Sequence, residues 1–151
     1  MKYHIQEATL EVPDEDMLDR SVNILTFGDP KKPFSVVVTR DCLGGLYKNI
    51  EEFLKKQMHH LSHQEEQFKE HDFKKLDLVP PGNRAAKPLG EAVEIFISYQ
   101  HEGRNVYQRI VAILLPKDQQ VLSIAGTFTD EWPESMYAQW RQIISSLALR
   151  S

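Results

Sequence analysis

A chain of 151 residues with 41% hydrophobic and 26% charged residues has the composition of one globular domain, which is predicted to span residues 1–151. Its net charge of −4 argues against a nucleic-acid partner, because such a partner would favour a basic surface. Its single cysteine, Cys42, excludes an intramolecular disulfide framework.

The first half of the chain predicts strands followed by a helix. Tyr3 to Val12 alternates loosely between polar and apolar residues and is predicted to be a strand. Val22 to Phe27 and Phe34 to Thr39 are predicted to form a hairpin around the turn GDPKKP. From Asn49 to Phe68, apolar residues recur every three or four positions, which predicts an amphipathic helix.

The second half predicts four strands and a second helix. A short strand from Phe73 to Val79 precedes a proline-bearing loop, and the last helix begins at Pro133. Three longer strands lie between them, at Gly90 to Gln100, Asn105 to Leu115 and Val121 to Thr129. Because short turns join most consecutive strands, the predicted fold class is α+β, a largely antiparallel β-sheet packed with two main helices.

The N-terminal segment lacks the uninterrupted apolar stretch of a signal peptide. No later apolar run reaches the length that crosses a bilayer. A cytoplasmic protein without stable membrane insertion is therefore expected.

Several predicted strands are apolar or small on both faces. In the strand from Gly90 to Gln100, one set of alternate positions is aliphatic or aromatic, and the other includes Ala92, Phe96, Ser98 and Gln100. An antiparallel sheet with one solvated face would normally place charged residues in the second set. The pattern favours a surface on which an apolar partner lies. Alternatively, the long loop or the second helix covers part of this surface.

Four segments carry a resemblance to a known family. SVNILTF at 21–27, FSVVVTR at 34–40, GRNVYQR at 103–109 and the helix WPESMYAQWRQIISSL resemble the DcrB-like family, and within it the Eag chaperones of bacterial type VI secretion. The resemblance covers essentially the whole chain. It implies a PsbP-like fold, no enzymatic activity, and binding of the N-terminal transmembrane helices of a secreted effector before export. Such effectors often carry a PAAR domain that caps the secretion spike, so the spike protein would be an indirect partner.

The resemblance also implies a client-binding site. A hydrophobic pair on an early strand corresponds to Val22 and Ile24, and uncharged polar side chains are implied to hydrogen-bond the client as a neighbouring membrane helix would. Gln57 is added because it falls within the apolar stripe of the first helix; its alternative is a buried glutamine bonded to backbone. The predicted client-binding residues are Val22, Ile24, Thr26, Ser35, Val37, Thr39, Gln57, Phe96, Ser98, Gln100, Gln108 and Ser123.

An enzymatic alternative rests on the histidines of the first helix. His59 and His63 are four residues apart, and Glu66 would complete a metal-binding face with them, while His60 lies beside it. At about 100° per residue this face points away from the apolar stripe and into solvent. No metal ion, cofactor or catalytic residue is therefore predicted.

A structural homodimer, or a ligand-binding domain without a client, is the remaining alternative. In such a dimer the sheet faces or edges would bury one another. The chaperone hypothesis is compatible with a homodimer as well, because two protomers can enclose a pair of apolar helices. The accessibility of the sheet face distinguishes the structural homodimer from the chaperone. A client-binding face stays open in the dimer, whereas a self-buried face does not.

Overall fold

The computed structural model describes residues 1–4, 6–14, 20–43, 47–78, 90–115 and 120–148. Two strands form a separate hairpin, and six form the main sheet in the order β3-β4-β8-β7-β6-β5, with every neighbouring pair antiparallel. This arrangement confirms the predicted α+β class. The elements are β1 (Lys2–His4), β2 (Thr9–Glu11), β3 (Asn23–Phe27), β4 (Phe34–Cys42), α1 (Ile50–Gln64), β5 (Glu66–Leu76), β6 (Ala92–His101), β7 (Arg104–Leu115), β8 (Gln120–Phe128) and α2 (Glu134–Ser145).

The first predicted strand, Tyr3 to Val12, is instead a short hairpin of β1 and β2. Tyr3 pairs with Leu10, and the His4 ring hydrogen-bonds the Thr9 hydroxyl at 2.9 Å. Loose alternation over ten residues does not reveal the polar turn in the middle, so the prediction of one continuous strand was wrong.

The boundary between α1 and β5 also differs from the prediction. The helix ends at Gln64, because Glu65 is already extended, and β5 begins at Glu66 instead of Phe73. Phe68 lies seven residues after Leu61, which satisfies helical spacing, but it packs against the core from a strand. Val79, the predicted end of the strand that begins at Phe73, and the loop after it up to residue 89 lie outside the described residues.

A register shift in β5 explains how its two phenylalanines share one side. Phe68 and Phe73 are five residues apart, so in a regular strand they would point to opposite faces. The pairing of β5 with β6 shifts between Glu70 and Asp72, and such an irregularity reverses the alternation. Both rings consequently pack against the same hydrophobic cluster.

The helix α1 covers one face of the sheet. Ile50 and Leu54 are fully buried against a cluster that includes Ile95 and Ile97 of β6. The helix begins after Asn49, whose Oδ1 accepts a hydrogen bond from the Glu52 backbone N–H at 2.9 Å. This cap fixes where α1 starts on the sheet.

The helix α2 packs on the opposite face, where a glycine makes room for two indole rings. Trp140 and Ile144 are buried with Val111 and Ile124 in the second cluster. A Cβ atom on Gly126 would lie 2.7 Å from Cη2 of Trp132 and 2.9 Å from Cε3 of Trp140. The two rings therefore lie directly on the backbone of β8.

We expect Gly126→Ala to lower the free energy of unfolding by about 1–3 kcal/mol, because the added methyl group overpacks the site and displaces the rings. Urea unfolding followed by tryptophan fluorescence measures the change. Ser123→Ala on the same strand is the control and should stay within about 0.5 kcal/mol. Equal stability of the Gly126 variant and the wild type would contradict this packing.

Candidate binding face

Among the described residues, no helix covers one half of the sheet face that carries α1. The helix packs mainly on β5, β6 and β7, while β3, β4 and β8 continue the same face beyond it. We call this surface the open face. Its residues in the paired strands are Ile24, Thr26, Ser35, Val37, Thr39, Gln108, Ile110, Ser123, Ala125 and Thr127, and Val22 directly precedes the first of these strands.

Strand register arranges the open face in rows that run across the strands. The middle row is apolar and contains Ile24, Val37, Ala125 and Ile110 as consecutive cross-strand partners. Paired residues in neighbouring strands point to the same side, so these four side chains form one stripe.

Polar rows flank the apolar row on both sides. Thr26, Ser35, Thr127 and Gln108 are consecutive partners on one side. On the other side, Thr39 pairs with Ser123, and Val22 lies two positions before Ile24. Every side chain in these rows is uncharged at neutral pH.

The apolar side chains at the outer margin of the open face are strongly exposed. Val22 is 55% and Ile24 is 66% exposed, while Val37, Ile110 and Ala125 are partly buried. Full burial of an aliphatic side chain is worth roughly 1.5–3 kcal/mol, so these positions leave a driving force for association unused.

Hydroxyl groups on the open face are available to a partner. The Gln108 amide donates from Nε2 to Oγ1 of Thr127 at 3.0 Å. The side chains of Ser35, Thr39 and Ser123 form no hydrogen bond within the described ranges. Serine, threonine and alanine are also small, which lets the backbone of a helix approach closely.

The structure brings seven of the twelve predicted client-binding residues together on the open face, and Val22 lies just before the strand that carries Ile24. The structure also adds Ile110, Ala125 and Thr127, which the sequence prediction missed. Two of them could have been predicted from the sequence, because Ala125 and Thr127 follow Ser123 at two-residue spacing on one strand and therefore share its face.

Phe96, Ser98 and Gln100 lie on the opposite face of the sheet. Ser98 pairs with Tyr107, whereas the open-face residue Gln108 is one position away, so their side chains point in opposite directions. The prediction that these three share a face with Ile24 was wrong. The alternation of residues along a strand assigns them to two opposite faces of the sheet, but it does not show which of the two faces lies under α1.

These three residues have contacts of their own on that opposite face. The Arg109 guanidinium lies 4.2 Å from the centroid of the Phe96 ring, and the Ser98 hydroxyl hydrogen-bonds the His71 ring at 2.7 Å. Gln100 donates to Oδ1 of Asn105 at 3.1 Å.

A charged cluster lies between this part of the sheet and α2. Glu94 is buried, and its Oε1 lies 3.4 Å from Nη1 of Arg109. The Arg109 guanidinium also lies 4.5 Å from the centroid of the Tyr137 ring on α2. The ion pair of Arg109 with Glu94 and its cation–π contact with Tyr137 thus link this face of the sheet to α2.

Gln57 lies on α1, outside the rows of the sheet. It is two helical turns from Ile50 and so belongs to the same stripe, yet it is exposed, whereas Leu54 and Met58 are buried. The alternative of a buried glutamine bonded to backbone is therefore wrong.

The histidines of α1 do not form the three-ligand face that the sequence suggested. Nε2 of His59 and Nε2 of His63 are 3.2 Å apart on the exposed side of the helix. Glu66 belongs to β5 and does not continue that helix face. Over the described ranges, no group of three or more metal-ligating side chains comes together.

The fold and the open face define an antiparallel α+β domain with an uncharged sheet surface beside its first helix. Residues 7–146 match the model of the DcrB family, so the chain belongs to that family. Membership of this family favours a regulatory or accessory role. In the described part of the chain, neither helix is long and apolar enough to cross a membrane.

A solved structure supports the same fold. The chain is similar to the crystal structure of PA94 from Pseudomonas aeruginosa, a protein of unknown function proposed to be a regulator, with 26% identity and a TM-score of 0.76. The match covers 100% of this chain and 97% of PA94. No functionally curated protein matches the sequence.

An ion pair at the end of α1 holds the helix against the turn between β6 and β7. Nδ1 of His101 lies 2.8 Å from Oε1 of Glu65, the residue that directly follows α1. The hydrogen bond that the His101 ring donates to the Glu65 carboxylate, together with the negative charge of that carboxylate, raises the pKa of His101 above its ordinary value. This contact ties the C-terminal end of α1 to the end of β6.

We expect Glu65→Gln to lower the pKa of His101 towards the ordinary histidine value of about 6.5. Because the pKa is raised in the folded protein, the stabilisation is fully present below about pH 6.5 and is lost as the pH rises through the raised pKa. NMR titration of the histidine ring protons in both proteins measures the shift. Identical midpoints would show that Glu65 does not set this pKa.

Proposed function

We propose that the protein is a non-enzymatic chaperone that shields the N-terminal transmembrane helices of a type VI secretion effector before export. The client is the transmembrane region of a PAAR-containing effector, and the secretion spike protein is reached only through that effector. The proposal requires neither a cofactor nor a metal ion.

The observation that supports the proposal is the composition of the open face. An apolar stripe, exposed at Ile24 and partly buried at Val37, Ala125 and Ile110, lies between rows that carry uncharged hydrogen-bonding side chains. A purely apolar groove would suit many ligands, and a charged one would reject a transmembrane segment. Apolar contact combined with free hydroxyl groups resembles the surface that one membrane helix presents to another.

The physical need for such a surface follows from the client. A transmembrane helix is apolar on all sides, so in water it aggregates or inserts into the nearest bilayer. On the open face, Ile24 and Val37 would bury part of its aliphatic surface. Ser35, Thr39 and Ser123 would hydrogen-bond its polar side chains without leaving a buried charge.

Family membership and the solved relative are compatible with this function. The DcrB family match favours an accessory role, and PA94 is described as a regulator of unknown function. A binding protein that escorts an effector is one form of accessory role. The resemblance of SVNILTF and FSVVVTR to Eag chaperones supplies the client class.

Co-expression with the N-terminal region of a neighbouring effector tests the function. Size-exclusion chromatography with light scattering should show a stable complex, and deletion of the effector's apolar segments should abolish it. If the effector region stays insoluble while this protein elutes alone, the chaperone function is overturned.

We expect the double variant Val22→Asp, Ile24→Asp to weaken client binding by at least about 3 kcal/mol, roughly a hundredfold in Kd, because two charges would be buried against an apolar helix. Both side chains are exposed in the absence of a client, so the fold should be retained. A competition binding assay with the co-purified client measures the change.

Leu10→Asp is the matched control for that double variant. Leu10 is 47% exposed and belongs to the β1–β2 hairpin instead of the main sheet, so the control should bind the client like the wild type. Wild-type affinity in a folded double variant would exclude the open face as the binding site.

We expect Gln108→Ala to weaken client binding by about 1 kcal/mol, the scale of one hydrogen bond between membrane helices. Ser98→Ala removes a polar group from the opposite face and should leave the affinity unchanged. The same binding assay measures both variants. A larger effect of Ser98→Ala than of Gln108→Ala would place the client on the other side of the sheet.

A further inference from the structure

Two histidine rings near the end of α1 meet on its exposed side. Nε2 of His59 lies 3.2 Å from Nε2 of His63, and the two ring planes are nearly perpendicular, at 86°. The residues are four positions apart, so the helix itself places them on neighbouring turns of one face. Both side chains are exposed. Two ring nitrogens thus converge on one point at the surface.

This pair differs from other histidines of the chain in what the rings contact. Three histidine rings are each hydrogen-bonded to a hydroxyl or carboxylate group, and they are His4, His71 and His101. Within the described ranges, the rings of His59 and His63 have only each other as hydrogen-bond partners. A neutral imidazole carries one proton, so one of the two facing nitrogens donates to the other. No oxygen of the protein competes for either nitrogen in the part of the chain that is described.

The lysines one turn before the pair are held to the sides of the helix. Lys55 and Lys56 lie four and three positions before His59, where a helix brings side chains together. The Lys55 amino group lies 5.7 Å from the centroid of the Phe73 ring, and that of Lys56 lies 5.8 Å from the centroid of the Tyr47 ring. Both rings pack against the core beneath α1. These cation–π contacts direct the two positive charges towards the sheet, which lowers the repulsion on a cation above α1.

We propose that His59 and His63 chelate a divalent transition-metal ion, such as zinc or copper, through their Nε2 atoms. An imidazole nitrogen lies about 2.0–2.1 Å from a zinc ion, so two such ligands at the tetrahedral angle are about 3.3–3.4 Å apart. The right angle of a square-planar copper site would bring them to about 2.8–3.0 Å. The separation of 3.2 Å lies between these two values, so the pair has the spacing of two ligands of one ion.

The chemistry of the pair selects the class of ion. Magnesium and calcium prefer oxygen ligands, whereas imidazole suits zinc, copper and nickel. Binding needs only the tautomer of each ring that carries its proton on Nδ1, which leaves both Nε2 atoms free to coordinate. Two protein ligands leave the other coordination positions to water or to a donor from another molecule. The site is therefore a surface chelate and not the three-ligand centre with Glu66 that the enzymatic alternative required.

Calorimetric titration of the untagged protein with zinc tests the site. We expect one ion per chain, and His59→Ala and His63→Ala should each weaken binding at least about tenfold, because even the loss of a group that only orients a metal ligand costs about 10–100-fold. His60→Ala is the matched control. His60 is exposed on the same helix but outside the pair, so this variant should bind zinc like the wild type. All three side chains are exposed, so the variants should remain folded.

Electron paramagnetic resonance at one equivalent of copper counts the coordinating nitrogens. The wild type should show two imidazole nitrogens, and His63→Ala should show one. Absence of saturable zinc uptake, or an equal loss of affinity in His60→Ala and His63→Ala, would overturn the proposal. A copper spectrum that is identical in the wild type and His63→Ala would do the same. Neither measurement involves an effector, so each result is independent of the chaperone function.

Discussion

The position of α1 on the sheet is the constraint on which the rest of the structure depends. A helix with its side chains is about 10 Å across, whereas six strands at about 4.8 Å spacing make a much wider sheet. One helix therefore covers only part of one face. Ile50 and Leu54 hold α1 over the β6 side, and Asn49 and the Glu65–His101 contact fix its two ends. The open face is the uncovered remainder of that side.

The two faces of the sheet are completed in different ways. On the part of the opposite face that α2 does not cover, the side chains of Arg109 and His71 lie over the Phe96 ring. The Ser98 hydroxyl there is hydrogen-bonded to the His71 ring. On the open face, Ile24 stays exposed and the hydroxyls of Ser35 and Thr39 have no partner among the described residues. The contrast indicates that the opposite face is closed around Phe96 by the protein's own side chains, while the open face keeps exposed apolar and hydroxyl groups.

Sequence patterns predicted the fold class and most of the open face because both depend on local periodicity. Alternation along β3 and β4 identified Ile24, Val37 and their neighbours, and the cross-strand register then brought them together. Features that depend on tertiary pairing were missed. The end of α1 was predicted too late in the chain because Phe68 satisfies helical spacing. The face of Ser98 was assigned wrongly because the prediction did not establish which side of β6 lies under α1.

An exposed apolar face and an unprotected edge strand are both hazards for aggregation, and in this chain they meet at β3. Covering the face with a further helix would remove the first hazard together with the binding surface. Ile24 is exposed on the open face, and Leu25 and Phe27 are exposed on the other side of the same strand, while the rows around Val37 are partly buried. In the described part of the chain, both hazards lie on one strand, because the exposed Ile24 and the unpaired backbone edge belong to β3.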